Sequence, residues 1–241
     1  MENIDTLTLG EIVKMNYKTA AVFERHGLDF CCNGNQTLSQ ACDMASVDSD
    51  MLRQELSTVQ EKDTETPDFD SWPLHKLIDH IQERHHGYVE KTTPQIKSYL
   101  DKIYKVHGDR HPELHNVRSL FNEIGGELAV HMKKEELMVF PFIKKIEKAQ
   151  DSAAASSPLF KSVTSPINMM MADHADEGEN FRLMAALTDN YRLPPDACNT
   201  YALTYRMLSE FEKDLHLHIH LENNILFPKA IAAEQQVTAK G

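Results

Sequence analysis

Glycine and proline are scarce in this chain. Nine glycines and ten prolines in 241 residues leave little material for turns, and few turns imply long elements. Strand-like alternation of apolar and polar residues is nearly absent, which argues against a sheet. No apolar run approaches the ~20 residues that a bilayer-spanning helix needs, so a membrane protein is not expected. Positive charge is also short. Twenty-five Lys and Arg against 37 Asp and Glu give a formal net charge of −12 and a sequence pI near 5.5. A chain this acidic repels phosphate backbones, which excludes nucleic acid as an expected partner. Only four cysteines occur, and Cys31 and Cys32 are adjacent. Their Cα atoms are about 3.8 Å apart, closer than ordinary disulfides prefer. A secreted disulfide framework is therefore not expected, and a reducing cytoplasm is. The start, "MENIDTLTLGEIVKMNYK", has no basic stretch followed by an apolar run, so no signal peptide is expected.

What the chain does have is a 41% hydrophobic fraction, ample for a packed core, arranged at helical spacing. "VQEKDTETPDFDSWP" (59–73) is acidic and aperiodic and reads as a linker. The division expected is a small helical domain over 1–60, a linker over 61–71 and a larger domain over 72–235. In the first part Leu9, Ile12, Val13, Tyr17, Ala20 and Phe23 recur at helical spacing, Gly27 ends the helix, and Thr37 caps another. Beyond the linker, four long amphipathic segments run roughly 72–106, 112–148, 159–190 and 195–234. They are separated by "HGDRHPE", "QDSAAASSP" and "NYRLPPD". The fold class expected is all-α, an antiparallel four-helix bundle preceded by a small helical domain.

One template is written twice. "HMKKEELMVFP" (131–141) and "HIHLENNILFP" (218–228) both read His, three residues, Glu, four residues, Phe-Pro. On the second segment Leu120, Ile124, Leu128, His131, Glu135, Met138 and Phe142 form one stripe; on the fourth, Leu208, Phe211, Leu215, His218, Glu222, Ile225 and Lys229 do. In each, one His and one Glu four apart replace core residues on a single face. His216 and His220 lie on another line, with Glu212 and Asn223, and are expected to face solvent. The third segment carries the stripe Ile167, Met171, His174, Gly178, Phe181, Ala185, with one histidine. The first offers His75, His80, His85 and His86. Leu77, Ile78, Ile81, Tyr88 and Val89 slightly favour His85, whereas spacing favours His86: it stands 45 positions before His131, and His174 stands 44 before His218. His75 and His80 read as helix-surface or satisfied histidines.

One buried His–Glu pair can satisfy itself. Two carboxylates in one core, surrounded by imidazoles, call for positive charge, because a buried carboxylate costs several kcal/mol unless compensated. A metal supplies that charge. Six ligands exceed a structural zinc's roughly four, and imidazole is foreign to magnesium or calcium sites. Imidazole with carboxylate suits iron or manganese. Six ligands from four helices, with two carboxylates able to bridge, fit a dinuclear centre with room for a bridging oxygen and a small exogenous molecule.

Taken together, His86, "HMKKEELMVFP", "DHADE" and "HIHLENNILFP" resemble the hemerythrin-like bundle, and "GLDFCCNGNQTLSQA" (27–41) resembles the Cys-Cys domain ahead of that bundle in the repair-of-iron-clusters family, the YtfE/ScdA-type di-iron proteins. The two parts cover nearly the whole chain. Oxygen-carrying hemerythrins use an extra histidine; the four-histidine set is like that of the repair family. The resemblance settles on His86 and implies that His86, His131, His174 and His218 are terminal ligands of two iron ions, with Glu135 and Glu222 as bridging carboxylates and an oxo bridge between the metals. Glu127 and Asp173 are similar to family carboxylates near the centre or its access channel. Cys31 and Cys32 would serve redox chemistry or iron transfer, with thiols made reactive by the amides at the start of the next helix. Where the family stretch continues Cys-Cys-Gly-Gly, this chain has Cys32-Asn33-Gly34, and asparagine's tolerance of left-handed backbone is expected to keep the turn. Family membership implies a cytoplasmic stress-response protein that repairs iron–sulfur clusters damaged by nitric oxide or oxidants, as an iron donor. The alternatives are a nitric oxide reductase or scavenger at the di-iron centre, and an O2- or NO-binding sensor or carrier. Implied partners are damaged iron–sulfur proteins, nitric oxide or O2, and, since several relatives are dimers, a second copy of the chain.

Overall fold

The computed structural model describes residues 4–61, 67–151 and 162–239. Residues 62–66 of the expected linker and nearly all of the "QDSAAASSP" connection lie outside the described residues. Helices dominate: α1 Leu9–Met15, α2 Ala20–Arg25, α3 Leu38–Ala45, α4 Ser49–Glu61, α5 Leu74–His80, α6 Gly87–His107, α7 Glu113–Lys134, α8 Phe140–Asp151, α9 Thr164–Leu187, α10 Asn199–Leu221 and α11 Phe227–Ala239. Among the described residues there is no strand, only an isolated bridge between Thr8 and Thr37. Over their described residues the four long segments expected from periodicity are mainly helical, the third from Thr164 and the fourth from Asn199; residues 159–161 of the third lie outside the described residues. No helix among the described residues is long and apolar enough to cross a membrane.

Three of the long segments contain a wider π turn: Ile81–His86 between α5 and α6, Glu135–Val139 between α7 and α8, and Glu222–Leu226 between α10 and α11. In these turns an amide reaches back five residues: Gly87 N–H to Gln82, Phe140 N–H to Glu135, Phe227 N–H to Glu222. The Phe-Pro ending of the repeated template accounts for two of them. Pro141 and Pro228 have no N–H to give, and in an α-helix the ring would strike the carbonyl four residues back. Widening the preceding turn relieves that clash, and π turns of this kind concentrate at functional sites.

An extra residue in the turn also advances the inward stripe by one. Met138, expected inside, is 57% exposed and Phe142 half-buried, while Val139, Phe140 and Ile143 are buried. After the last π turn Ile225 is buried as expected, but Lys229 is half-buried and Ala230 takes the core position. On α9, Met170 is buried and Met171 exposed, the reverse of the expected stripe.

The chain forms two compact units: Met1–Ile78, Lys144–Ser162 and His216–Gly241 in one, Asp79–Ile143 and Val163–Leu215 in the other. In the first unit, Thr8 with Glu11 and Thr37 with Gln40 form reciprocal capping boxes at the starts of α1 and α3. Gly27, at φ 65°, follows α2. Leu9, Ile12, Val22, Phe23, Leu38, Leu52 and Leu56 are fully buried here. In the second unit the Phe211 ring of α10 lies 6.0 Å from Tyr88 of α6, 5.4 Å from Phe121 of α7 and 5.9 Å from Phe181 of α9. One aromatic thus joins four helices, where each ring buries on the order of 150–250 Å².

Candidate metal centre

In the second unit, three helical segments deliver three histidines to one carboxylate. Glu135 opens its π turn and is fully buried. Its Oε2 lies 3.3 Å from His86 Nε2 and its Oε1 3.3 Å from His131 Nε2. Each oxygen of one carboxylate therefore faces a different imidazole. His174 Nε2, from α9, comes to 3.1 Å from His131 Nε2. The ligand atoms of His131, Glu135 and His174 all lie within 4.8 Å of one another. Neither Glu135 oxygen accepts a hydrogen bond among the described residues. Two imidazoles and a carboxylate around one point match the donor set of non-haem iron, and a buried carboxylate without hydrogen bonds is a group that a cation would satisfy.

The outer nitrogens of two of these rings are held as well. His86 Nδ1 meets Glu136 Oε1 at 3.0 Å, and Lys133 Nζ donates to Glu136 Oε2 at 2.6 Å. His131 Nδ1 lies 3.4 Å from Asp173 Oδ2, to which Lys134 Nζ donates at 2.8 Å. A carboxylate accepting from Nδ1–H turns Nε2 toward the centre and raises its basicity as a ligand. Burial alone would raise both carboxyls. Bonds from Lys133 and His86 outweigh it at Glu136, and bonds from Lys134 and His131 do so at Asp173, so both stay below their ordinary range. Asp173 lies beside His131. Glu127 is exposed, accepts from Asn180 Nδ2 at 3.2 Å, and lines a cleft that also reaches His131, Asp173 and Glu177.

Two residues escaped the sequence reading. Glu136, masked by the neighbouring template Glu, lies beside His86. Glu177 is buried, 3.8 Å from His131 Nδ1; a carboxylate three residues after His174 was the available signal. The first π turn also explains why periodicity could not choose between His85 and His86. Both are buried, His86 against Glu135 and Glu136, His85 with Nδ1 3.1 Å from Asp214 Oδ2. His75 is exposed and pairs with Glu147, and the half-buried His80 ring meets that of His85, as helix-surface histidines do.

In the first unit, His218 and Glu222 repeat the arrangement one turn apart: Nε2 to Oε1 is 3.3 Å and both side chains are buried. The expectation that His220 and Asn223 face solvent is corrected. His220 is 1% exposed, with its ring 5.9 Å from that of Phe30 and Nδ1 3.1 Å from Asn224 Nδ2. Burial pushes this imidazole down to about 4. Asn223 Nδ2 donates to the Cys31 carbonyl at 3.2 Å, and half-buried His216 stacks edge-on against Phe30. The N-terminal segment covers a helix face that is polar by composition.

Cys31 is buried and Cys32 half-buried, with sulfurs 3.7 Å apart. The expected activation by helix amides is corrected too, since α3 starts only at Leu38. Instead Asp29 Oδ1 takes the amides of Cys31 and Cys32 at 3.2 and 2.9 Å. The Cys31 thiol is pushed well up by its bond to Cys32, by burial and by the Asp29 charge. Asn33 does not adopt the left-handed backbone expected of it; its side chain donates to Asp29 Oδ2 at 2.8 Å and holds the loop that way. Gly34 is required by close approach: a Cβ there would sit 2.4 Å from the Phe30 carbonyl oxygen.

A family model described as "Hemerythrin HHE cation binding domain" matches residues 77–230, and a model named ScdA_N, described as "Domain of Unknown function", matches 5–60. The long helices that carry the paired His and Glu residues thus belong to a hemerythrin-like cation-binding class. Proteins named "Iron-sulfur cluster repair protein YtfE" align along nearly the whole chain. That of Musicola paradisiaca is 34% identical over 230 residues, covering 94% of this chain and 97% of its own. Those of Yersinia pseudotuberculosis and Escherichia coli are 35% and 34% identical over 227 and 226 residues, with the same coverage. The chain belongs to this YtfE family of iron–sulfur cluster repair proteins.

Proposed function

We propose that this protein is a non-haem di-iron protein that repairs iron–sulfur clusters damaged by nitrosative or oxidative stress, with its iron as the donated cargo. The observation that carries the reading is Glu135, fully buried, with one oxygen toward His86 and the other toward His131, in a chain whose relatives bear the repair name. In this proposal His86, His131, His174 and His218 are terminal ligands and Glu135 and Glu222 the bridging carboxylates. When bound, the metal pair supplies labile ferrous iron. The chain's own contribution is to hold and release it. Imidazole and carboxylate grip ferrous iron less firmly than thiolates, and protonation of either loosens the grip. Glu136 and Asp173 keep protons on the outer Nδ1 atoms of His86 and His131, leaving the inner nitrogens free to bind. Clients would be damaged iron–sulfur proteins in a reducing cytoplasm, where four free thiols persist.

The test is to load the protein with labelled ferrous iron under anaerobic conditions and present an apo iron–sulfur enzyme. The expected result is transfer of label with recovery of the client's cluster. A client that stays unlabelled while the protein keeps two irons per chain overturns donation.

A further inference from the structure

In the second unit, where α6 ends and α10 begins, a thiol and an imidazole meet. Cys198 is exposed and immediately precedes α10, where its carbonyl accepts from Ala202 N–H at 3.0 Å. His107, at the end of α6, is 4% exposed, and its Nε2 lies 3.2 Å from Cys198 Sγ. Nδ1 of the same ring has no hydrogen-bond partner among the described residues, so its one hydrogen bond there is to the thiol. The surroundings hold the pair in place. The His107 ring packs edge-on against Tyr201 at 5.3 Å, and Tyr201 O–H donates to Tyr205 at 3.1 Å. Asp196, two residues before the thiol, is bound by His111 Nε2 at 2.9 Å and by Arg110 at 2.8 Å, which fastens the Cys198 turn to the α6–α7 turn. A buried imidazole committed to an exposed, positioned sulfur is a nucleophile–base pair.

We propose that Cys198 is a site of mixed-disulfide formation with low-molecular-weight disulfides, with His107 as its general base. His107 Nε2 takes the thiol proton. The Cys198 thiolate attacks one sulfur of the incoming disulfide, a new Sγ–S bond forms as the old S–S bond breaks, and the leaving thiolate takes the proton back from Nε2–H. One protein thiol and one disulfide become one mixed disulfide and one small thiol, with no other oxidant required. The buried Cys42 and Cys31 are shielded from such a reagent, and Cys31 is further disfavoured by its raised thiol.

The experiment treats the full chain with oxidised glutathione at pH 7 and follows modification of each cysteine by peptide mass mapping. The expected result is first modification at Cys198, about a hundredfold or more faster than in an unstructured peptide of residues 194–202, the low end of general-base assistance. H107Q is expected to lose that advantage. A wild-type rate equal to the peptide's, modification at Cys32 with Cys198 untouched, or an H107Q protein that reacts like wild type would each overturn the proposal. Should H107Q not fold, the comparison of wild type with the peptide decides alone.

Discussion

Exchanging Glu136 for glutamine removes one charge and keeps the side chain's shape. The carboxylate is mostly buried, takes a 3.0 Å bond with His86 Nδ1, and is held ionised by Lys133. A hydrogen bond to a charged group is worth about 1.5–3 kcal/mol and a neutral one about 0.5–1.5, so the exchange costs about 1.4 kcal/mol, or roughly tenfold in affinity for a metal at His86. That is the low end of the roughly 10–100-fold range for partners of metal-bound histidines. Asp173 provides the internal comparison. Its bond to His131 is longer, 3.4 Å, and its side chain is 34% exposed, so solvent screening shrinks the effect to about threefold or less. Glu127→Gln, exposed on the cleft, should change nothing. The assay is anaerobic titration of metal-free protein with ferrous iron against a competing chelator, with far-UV circular dichroism to verify folding. Affinity in Glu136→Gln within twofold of wild type, or a larger loss in Asp173→Asn than in Glu136→Gln, would refute the claim that these carboxylates tune the ligands.

Three further outcomes are expected. His220 is held neutral by burial, so its unfolded form binds more protons below about pH 6.5; its contribution is fully present above that and is lost as pH falls toward about 4, about 3 kcal/mol in all. Urea unfolding of metal-free protein across that window should show the slope, and His220→Asn should flatten it; an unchanged slope counts against burial as the cause. Gly34→Ala should destabilise by about 1–3 kcal/mol, since a methyl would meet a backbone carbonyl at 2.4 Å, whereas Gly126→Ala, inside α7 with nothing within 4 Å, should stabilise by up to about 1 kcal/mol; thermal melts compare them. Iodoacetamide at pH 8 should alkylate half-buried Cys32 well before Cys31, whose thiol is raised and buried; equal rates would contradict the packing of that loop.

Much of the site was legible because an α-helix converts spacing into direction. His131 with Glu135 and His218 with Glu222 stand four apart and interrupt apolar stripes, so their burial follows from the 3.6-residue period alone, as does that of His174. The same rule fails where the helix is not α. Met138, Phe142 and Lys229 were placed one residue out of register because a π turn intervenes, and the His85–His86 ambiguity has the same origin. The Phe-Pro pair after each template was in plain view, but its consequence needs the carbonyl that proline would strike.

Periodicity, capping and the repeated His–Glu spacing are properties of the chain taken one helix at a time, and sequence determined them: an all-helical protein with a buried set of imidazoles and carboxylates. Only tertiary structure decided which polar groups lose their water. His220 and Asn223 are hidden because Phe30 and Cys31, about 190 positions earlier in the chain, lie over them. Glu136 and Asp173 matter because the histidines they hold come from other segments. Burial and hydrogen bonding between distant segments depend on where helices end up beside one another, and local spacing does not encode that.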